Sequence, residues 1–497
     1  MHRLTRFAAV LVLPFVLAVS AAAPAERIAP EGIDGTLLLC GDKTPDQALD
    51  AFCNAAGKEK AALAILISGE KSDRDVGEKL AEALKARKPA TVAVVPMDAK
   101  DPKGLEALRN ATGVWIVSGA DAAAPELSGA MKRGAVAASG AMVRSLHLLP
   151  GVVVESNFSG AGLEDLFAAL DKSPGTFGVG VGEGMALVVH GRRMTAIGDG
   201  AVTILLAKSA ARPRRVMDLT EKAPSDYTML RRAAIARAGA PFPPKERVTP
   251  EVAKGSLVIV GGGGMPTDVT KKFIELAGGP DALIVVLPTA SPAPSDESGF
   301  FRKAGAKNVV SLPAAKLEEV EDPKTLDVLR KADAIWFGGG RQWHFVDVYE
   351  GTKAEELFHD VLRRGGVIGG SSAGATIQGG YLCRGSALNN TEEMAEGYER
   401  GFAFLPGVAI DQHFTQRNRF ADMTSLMKAY PQLLGIGLDE ATAIVVKGHE
   451  AEVMGKGTAH FYDGRKPAEG QPDYDSVKAA GRYDLKERKV LDAGEGR

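Results

Sequence analysis

Residues 255–263 read GSLVIVGGG, an apolar run that ends in a glycine turn. Such a run predicts a buried β-strand followed by a tight turn. Further runs of this kind alternate with charged helical segments such as PTDVTKKFIELAGG (266–279) and TKAEELFHDVLRR (352–364). Buried strands separated by helices predict an α/β fold with a mostly parallel sheet and helices on both of its faces. Ligands of such sheets bind at the carboxyl ends of the strands, where the glycine turns lie.

This alternation of strands and helices occurs twice along the chain. Six phrases recur in the same order at similar spacing, and their ordered recurrence indicates a tandem duplication. The pairs are GTLLLCGD (35–42) and GSLVIVGGG (255–263), AALAILISGE (61–70) and DALIVVLPTA (281–290), GVWIVSGAD (113–121) and AIWFGGGRQ (334–342), RGAVAASGAM (133–142) and RGGVIGGSSAGAT (364–376), LLPGVVVESNF (148–158) and FLPGVAIDQHF (404–414), and GVGVGEGMALVVHG (178–191) and GIGLDEATAIVVKG (435–448).

The first residues have a basic start, an apolar stretch and an Ala-Pro-Ala cleavage site, which are typical of an export signal. We therefore expect a secreted or periplasmic protein that has no membrane contact after cleavage. The predicted divisions are a signal peptide (1–25), a first copy (26–210), a basic linker (211–254), a second copy (255–465) and a polar tail (466–497). Within the linker, the stretch DYTMLRRAAIARA predicts one short helix.

Composition narrows the class of protein further. The chain has 497 residues, is 45% hydrophobic and carries a formal net charge of −2, which gives no global attraction to nucleic acid. Three cysteines are too few for a disulfide framework. We expect buried thiols, although export would permit one bridge between Cys40 and Cys53. No Cys/His cluster has metal-ligand spacing, so no structural zinc is expected.

The stretch GGSSAGA (369–375) contains the pattern G-x-S-x-G and follows an apolar run. Two interpretations are open, a loop of small residues or a sharp strand-to-helix turn that presents Ser372 as a nucleophile. In the second interpretation the N–H of Ala373 is one donor to an oxyanion, and Gly340 at a neighbouring strand end supplies another.

A nucleophilic serine needs a base, and His413 is the best candidate. It follows an apolar strand directly, at the sheet edge where the serine emerges. A hydrogen-bonded histidine at a strand end is the alternative interpretation, and His344 is the reserve candidate for the base.

The first copy differs at the corresponding polar positions. Its apex carries Ala138 or a displaced Ser139, the tripeptide Glu155-Ser156-Asn157 replaces Asp411-Gln412-His413, and Asp121 replaces Gln342. Because the scaffolding phrases recur while these polar residues differ, we expect the first copy to be catalytically inactive.

The phrases GSLVIVGGG, FGGGRQ, GGSSAGA, LPGVAIDQHF, RNR and GIGLDEATA together resemble the cyanophycinase branch of the serine peptidases, which also includes dipeptidase E. The resemblance covers about residues 255–460 and implies a flavodoxin-like parallel sheet and a Ser–His–acid triad with Ser372 as nucleophile and His413 as base. Together with the internal repeat it predicts two tandem flavodoxin-like domains. A serine-peptidase mechanism of this kind needs no cofactor, and none is expected. The substrate-binding residues that it implies are Gln342, Asp411, Gln412, Arg417 and Arg419.

The family's substrate is cyanophycin, a polyaspartate with arginine on each side-chain carboxyl, from which aspartyl-arginine dipeptides are released. Arg417 and Arg419 could hold backbone carboxylates, and Asp411 could receive a substrate guanidinium. Two positions depart from the family pattern, since Arg341 stands where an acid is common and Asp422 where a further arginine often occurs. An α-aspartyl or isoaspartyl dipeptidase and a non-catalytic binding protein remain alternatives.

The resemblance implies that the triad acid lies between the serine and the histidine in the sequence. The stretch NNTEEMAEG offers Glu392, our choice, as well as Glu393, with Asn389 or Asn390 there if the loop is shifted. Glu440 recurs in the first copy as Glu183, which favours a structural role for it.

Finally, the first copy is expected to pack on the second as an internal pseudo-dimer.

Overall fold

The computed structural model describes residues 27–68, 70–96, 102–118, 124–139, 149–292 and 298–494. The predicted signal peptide lies outside these residues. Within them, no helix has both the length and the apolar character needed to cross a bilayer.

The N-terminal half (27–238) contains strands and helices in alternation. Its strands are β1 (Thr36–Cys40), β2 (Ala62–Ile67), β3 (Thr91–Pro96), β4 (Gly113–Ile116), β5 (Ala135–Ser139), β6 (Val152–Ser156), β7 (Phe177–Val181), β8 (Ala186–His190), β9 (Arg193–Ile197), β10 (Val202–Leu206), β11 (Arg215–Leu219) and β12 (Ser225–Asp226). Its described helices are α1 (Asp46–Ala55), α2 (Lys71–Lys85), α3 (Pro102–Asn110), α4 (Ala124–Arg133), α5 (Leu163–Lys172) and α6 (Tyr227–Ala238), with 3₁₀ turns at Lys58–Lys60 and Gly160–Gly162.

The C-terminal half (252–494) has the same kind of alternation. Its strands are β13 (Val252–Val260), β14 (Leu283–Leu287), β15 (Asn308–Ser311), β16 (Ala334–Phe337), β17 (Val367–Ser371), β18 (Gly379–Leu382), β19 (Leu405–Gln412), β20 (Leu434–Leu438), β21 (Thr442–Gly448), β22 (Glu450–Gly455), β23 (Thr458–Tyr462), β24 (Asp475–Lys478), β25 (Arg482–Asp484) and β26 (Lys489–Asp492). Its described helices are α7 (Thr267–Leu276), α8 (Ser298–Lys303), α9 (Leu317–Val320), α10 (Pro323–Lys331), α11 (Trp343–Tyr349), α12 (Lys353–Arg363), α13 (Ala373–Thr376) and α14 (Phe420–Ala429).

Each half is built on one large and one smaller sheet, and the strand orders correspond. The large sheets run β12-β9-β8-β1-β5-β4-β2-β3 and β15-β14-β16-β17-β13-β21-β22-β25-β26. The smaller sheets run β11-β10-β7-β6 and β18-β19-β20-β23-β24. In each half, the first strand along the chain (β1 or β13) pairs in parallel with the fifth (β5 or β17) and antiparallel with a later strand (β8 or β21). Leu38↔Ala137 and Val258↔Gly369 are examples of the parallel pairs. The chain is therefore a mixed α/β protein. In the large sheets the parallel pairs lie among β1–β5 and among β13–β17, and the strands added after them pair antiparallel.

The apolar strand runs form the cores because nearly all of their side chains are buried. In the C-terminal half, Trp336 of β16 is fully buried and Phe273 of α7 packs edge-on against it at 5.2 Å between ring centroids. Gly369 lies beneath the same indole, since a Cβ there would be 2.7 Å from its Cε3 atom. This packing fixes β17, the strand that leads to the predicted nucleophile.

Two segments differ from the predicted divisions. Part of the expected linker forms β11 and β12, which join the sheets of the N-terminal half. The short helix expected within the linker is α6, and it packs on the core of the same half. Part of the expected polar tail forms β24, β25 and β26, which extend both sheets of the C-terminal half. The physical reason is that these strands lie toward sheet edges, where one covered face is enough and polar residues are tolerated.

The prediction of buried thiols is confirmed. Cys40, Cys53 and Cys383 are free and buried, and no bridge joins the first two. Burial raises the pKa of the Cys40 thiol to about 12, with a smaller opposing contribution from a hydrogen bond to Thr44.

Candidate active site

The G-x-S-x-G stretch is a strand-to-helix turn. Ser372 follows β17 directly and precedes α13, with φ 55° and ψ −112°. Positive φ is costly for a residue that carries a Cβ, and such strain persists where the surrounding structure enforces it. The two glycines of the motif allow the turn, because a Cβ on Gly370 would lie 2.3 Å from the Gly374 oxygen and one on Gly374 would lie 2.0 Å from the Phe337 oxygen.

The structure brings the predicted base to this serine. His413 follows the last residue of β19, and its Nε2 lies 3.0 Å from Ser372 Oγ. Its backbone N–H donates to the Gly261 oxygen at 2.8 Å, which ties the histidine to the end of β13. A hydroxyl and an imidazole nitrogen at this distance can share the serine proton.

A carboxylate stands on the other side of the histidine, and it belongs to Glu440. His413 Nδ1 lies 2.6 Å from Glu440 Oε1. Strand β20 lies next to β19 in the smaller sheet, so residues that follow β20 reach the histidine that follows β19. The structure therefore places Glu440 beside the histidine where the sequence suggested Glu392, and the backbone N–H of Glu392 donates to Asn389 Oδ1 within its own loop.

The corresponding glutamate of the N-terminal half has another partner. Glu183 lies 2.6 Å from Lys43 Nζ in an exposed ion pair. Asn157, in the place of His413, accepts a hydrogen bond from the Asp42 N–H at 2.7 Å. Recurrence of the glutamate in both halves therefore does not imply a shared structural role, because the histidine partner is present in only one of them.

The glycines that follow β13 make room for the histidine and its acid. A Cβ on Gly262 would lie 2.5 Å from His413 Cε1, and one on Gly263 would lie 2.4 Å from the Glu440 Cβ. The sequence predicted the turn but not that its glycines leave room for His413 and Glu440. The difference between the copies could have shown it, because the first copy has Asp42-Lys43 where the second has Gly262-Gly263.

The pKa of His413 is lowered from its ordinary value. Burial is the largest cause, opposed by the hydrogen bond to Glu440, while the charges of Arg417 and Arg419 lower the pKa further. A lowered pKa keeps the imidazole neutral near pH 7, and the neutral form is the one that can accept the serine proton.

The predicted oxyanion donors lie around the same serine. Ala373 is the first residue of α13, directly after Ser372. The turn that carries Gly340 is close as well, since a Cβ on the adjacent Gly339 would be 3.7 Å from the Ser372 Cβ. Gly340 has φ 141°, and a Cβ there would lie 2.2 Å from the Ala290 oxygen, so only glycine fits this position.

Of the predicted substrate-binding residues, several are engaged inside the protein. Gln342 is buried and its Nε2 donates to the Cys383 and Arg384 oxygens, both at 2.7 Å. Asp411 is fully buried and pairs with two guanidinium groups of the chain itself, those of Arg384 and Arg419. The structure thus gives Asp411 internal cations where the sequence suggested a substrate guanidinium.

Two other predicted substrate-binding residues are less engaged inside the protein: Gln412 lies near the serine and Arg417 faces solvent. Gln412 Oε1 is 3.5 Å from Ser372 Oγ, a long contact. Arg417 is exposed, one turn after His413. His344, the reserve base, stacks on Trp343, and burial followed by the charges of Arg192 and Arg341 lowers its pKa to about 4. His413 is the histidine that the structure places against the serine.

A cluster of charged residues behind the site, buried except for Asp422, was not anticipated. Arg384 lies 2.9 Å from Glu393 Oε2 and 2.7 Å from Asp422 Oδ2, in addition to its contact with Asp411. Burial, followed by the charge of Asp411, raises the pKa of Glu393. The cluster supports the end of β19, because Arg419 also donates to the Gln412 oxygen at 2.7 Å and Asp411 Oδ1 accepts the Gln412 N–H at 2.9 Å.

Serine, histidine and glutamate in one hydrogen-bonded line, on a strand-to-helix turn of an α/β protein, make up the machinery of a serine hydrolase. Residues 245–454 match the family model "Peptidase family S51". The chain is 32% identical over 222 residues to a cyanophycinase of Geminocystis herdmanii, covering 43% of this chain and 82% of that protein. A cyanophycinase of Trichormus variabilis is 29% identical over 228 residues, or 44% of this chain and 76% of that protein.

The chain belongs to peptidase family S51 and is a serine peptidase. The resemblance to the cyanophycinase branch expected from the sequence is thereby confirmed. A solved structure of a peptidase from an acI-B1 actinobacterium is 23% identical to this chain, with a TM-score of 0.37. The match covers 46% of this chain and 97% of the solved one.

Proposed function

We propose that the C-terminal half is a cyanophycinase-type serine exopeptidase that cleaves the backbone of cyanophycin, multi-L-arginyl-poly-L-aspartate, and releases β-aspartyl-arginine dipeptides. The observation that carries the proposal is the line of Ser372, His413 and Glu440, with 3.0 Å and 2.6 Å between successive partners. It lies in the part of the chain that is similar to curated cyanophycinases.

The first step is acyl transfer to the serine. Ser372 Oγ attacks an aspartyl backbone carbonyl while His413 Nε2 takes the hydroxyl proton, and Glu440 stabilises the resulting imidazolium through Nδ1. The carbonyl oxygen becomes an oxyanion that the N–H groups of Gly340 and Ala373 stabilise. Collapse of the tetrahedral intermediate breaks the C–N bond, and the departing amine takes the proton from His413.

The second step is hydrolysis of the ester. A water molecule attacks the acyl carbonyl and gives a proton to His413 Nε2. The new tetrahedral intermediate then collapses, Ser372 leaves as an alkoxide and recovers its proton from His413. The dipeptide acid departs and the free enzyme is restored.

Charge near the serine supports a substrate with carboxylates. Arg417 is exposed, and its charge acts on His413 together with that of Arg419. Because Asp411 and Arg419 neutralise each other internally, Arg417 is our choice for the residue that holds a backbone carboxylate of the substrate.

The test is release of dipeptides from purified insoluble cyanophycin. Ser372→Ala should abolish release, whereas Ser371→Ala, at the adjacent strand-end position, should retain it. Activity on free α-aspartyl or isoaspartyl dipeptides without activity on the polymer would instead support the dipeptidase alternative. Failure of a fluorophosphonate to label Ser372 in the folded wild type would support a non-catalytic binding protein.

We further propose that the two halves arose by tandem duplication into flavodoxin-like domains, and that the N-terminal half is inactive and packs as an internal pseudo-dimer partner. The corresponding strand orders and the substitution of Asn157 for His413 support this. Labelling of an N-terminal serine by the fluorophosphonate, or a stable two-chain assembly through the C-terminal half in sedimentation, would contradict it. Export with removal of residues 1–25 is checked by sequencing the N-terminus of the secreted protein.

A further inference from the structure

Arg192 crosses from the N-terminal half to the C-terminal half. It lies in the turn between β8 and β9, and its backbone oxygen accepts a hydrogen bond from the Tyr227 N–H at 2.7 Å. Its guanidinium pairs with Asp226 in its own half. It also donates through Nη1 to Asp347 Oδ2 at 2.7 Å and through Nη2 to the Tyr398 hydroxyl at 2.9 Å, and both acceptors belong to the C-terminal half.

The same guanidinium holds helix α11 at two points. Its Cζ lies 4.5 Å from the ring centroid of Trp343, the first residue of this helix. Asp347, the ion-pair partner, lies one helical turn further along. Asp347 is itself fixed, since the Tyr398 hydroxyl donates to its Oδ1 at 2.6 Å. A guanidinium that lies over an indole ring and pairs with a carboxylate one turn further along constrains the orientation of the helix start.

Helix α11 in turn continues the turn that carries Gly340. The His344 N–H donates to the Arg341 oxygen at 3.2 Å and the Phe345 N–H donates to the Gln342 oxygen at 3.1 Å. The Arg341 N–H donates to the Ala290 oxygen at 2.8 Å, which anchors the other side of the turn. The direction of the Gly340 N–H therefore depends on where the first turn of α11 sits.

We propose that Arg192 is a positioning residue for the active site of the other half, where it holds Trp343 and Asp347 so that the Gly340 N–H points at the oxyanion. The inference rests on the proposed function, in which Gly340 stabilises that charge. It assigns to the N-terminal half a part in catalysis, although Arg192 touches neither the substrate nor the reacting atoms.

A matched control exists in the same interface between the halves. Arg212 of the N-terminal half donates to both carboxylate oxygens of Glu399 at 2.7 Å and lies 3.0 Å from Glu396. Its side chain is 18% exposed, against 19% for Arg192. Both carboxylate partners of Arg212 lie outside α11, so its loss removes ion pairs of comparable burial without releasing the helix that follows Gly340.

The experiment compares Arg192→Met and Arg212→Met in the full chain. Both variants should unfold at lower urea concentration than the wild type. Only Arg192→Met should lose kcat, by about 10- to 100-fold with KM nearly unchanged, because loss of one oxyanion donor costs roughly 10²–10³ in kcat and a displaced donor costs less. Equal kcat values for the two variants would overturn the proposal, and so would a rise in KM at wild-type kcat.

Arg192→Lys guards against a misfolded methionine variant. It keeps the charge between Asp226 and Asp347 but lacks the forked guanidinium, which bonds Asp226, Asp347 and the Tyr398 hydroxyl at once. A folded Arg192→Lys enzyme should show reduced kcat, whereas wild-type kcat in this variant would overturn the proposal.

The rate at which a fluorophosphonate labels Ser372 gives a readout that does not need the natural substrate. Arg192→Met should slow labelling and Arg212→Met should not. If the wild type fails to hydrolyse cyanophycin, the proposed function is wrong, and the labelling rates still decide the positioning role.

Discussion

His413 Nδ1 and Glu440 Oε1 are 2.6 Å apart, and the two residues follow neighbouring parallel strands, β19 and β20. The carboxylate therefore orients the ring so that Nε2 faces Ser372. Glu440→Gln should lower kcat by about 10³–10⁴-fold, since an amide cannot stabilise the imidazolium and favours the wrong tautomer. Steady-state kinetics on the polymer measure this loss. Glu392→Gln is the matched control and should leave kcat near that of the wild type, and a larger loss in the control would restore Glu392 as the acid.

Substitution of Gly262 should reduce activity, because the His413 ring packs directly against it. A Cβ at this position would lie 2.6 Å from His413 Nε2, so Gly262→Ala should displace the ring and abolish most activity. Gly264→Ala separates this effect from backbone strain, because Gly264 also has positive φ, +121° against +94°, and a Cβ there meets no atom of the described structure within 4 Å. Urea unfolding should show a loss of stability in both variants. Kinetics should show a loss of kcat in Gly262→Ala alone. Equal activities would contradict the clash.

The acidic limb of the pH profile should report His413. Catalysis needs the neutral ring, and because its pKa lies below the ordinary 6.5, the midpoint of the acidic fall in kcat/KM should lie below pH 6.5. Arg417 contributes to this lowering, because a nearby cation disfavours the protonated ring. Arg417→Gln should therefore raise the pKa and move the acidic limb to higher pH.

The control for this shift removes the same charge elsewhere. Lys447 is exposed near the far end of β21, and Lys447→Gln should leave the limb where it is. A limb that stays fixed in Arg417→Gln would show that another group governs the profile.

Asp411 should behave as a structural residue. It is fully buried between Arg384 and Arg419, so Asp411→Asn leaves both cations without this partner and should cost about 3–5 kcal/mol of unfolding free energy. Asp422 also pairs with Arg384 but is 47% exposed, and Asp422→Asn should cost at most about 1 kcal/mol. Urea unfolding measures both values. A raised KM with unchanged stability in Asp411→Asn would instead support contact with the substrate.

The serine and the histidine could be predicted from sequence because each follows an apolar strand run, and parallel strands bring their carboxyl ends to one edge. The acid could not be chosen this way, since Glu392 and Glu440 both follow the serine and only the pairing of β19 with β20 selects the latter. The internal role of Asp411 was hidden as well, because its partner Arg384 lies in an irregular segment without periodicity. Strand β11 and strands β24, β25 and β26 are short and contain charged residues, and pairing partners rather than propensity specify them.

The arginine contacts between the halves have a consequence for how the chain can be divided. Arg212 and Arg237 reach Glu396, Arg212 reaches Glu399, and Arg192 reaches Asp347. A fragment trimmed to the part that matches the peptidase family would keep these three carboxylates and lose the cations that neutralise them. Such a fragment would present an acidic face where the whole protein has a buried neutral one, so expression boundaries drawn around the family match alone would yield a less stable protein than the full chain.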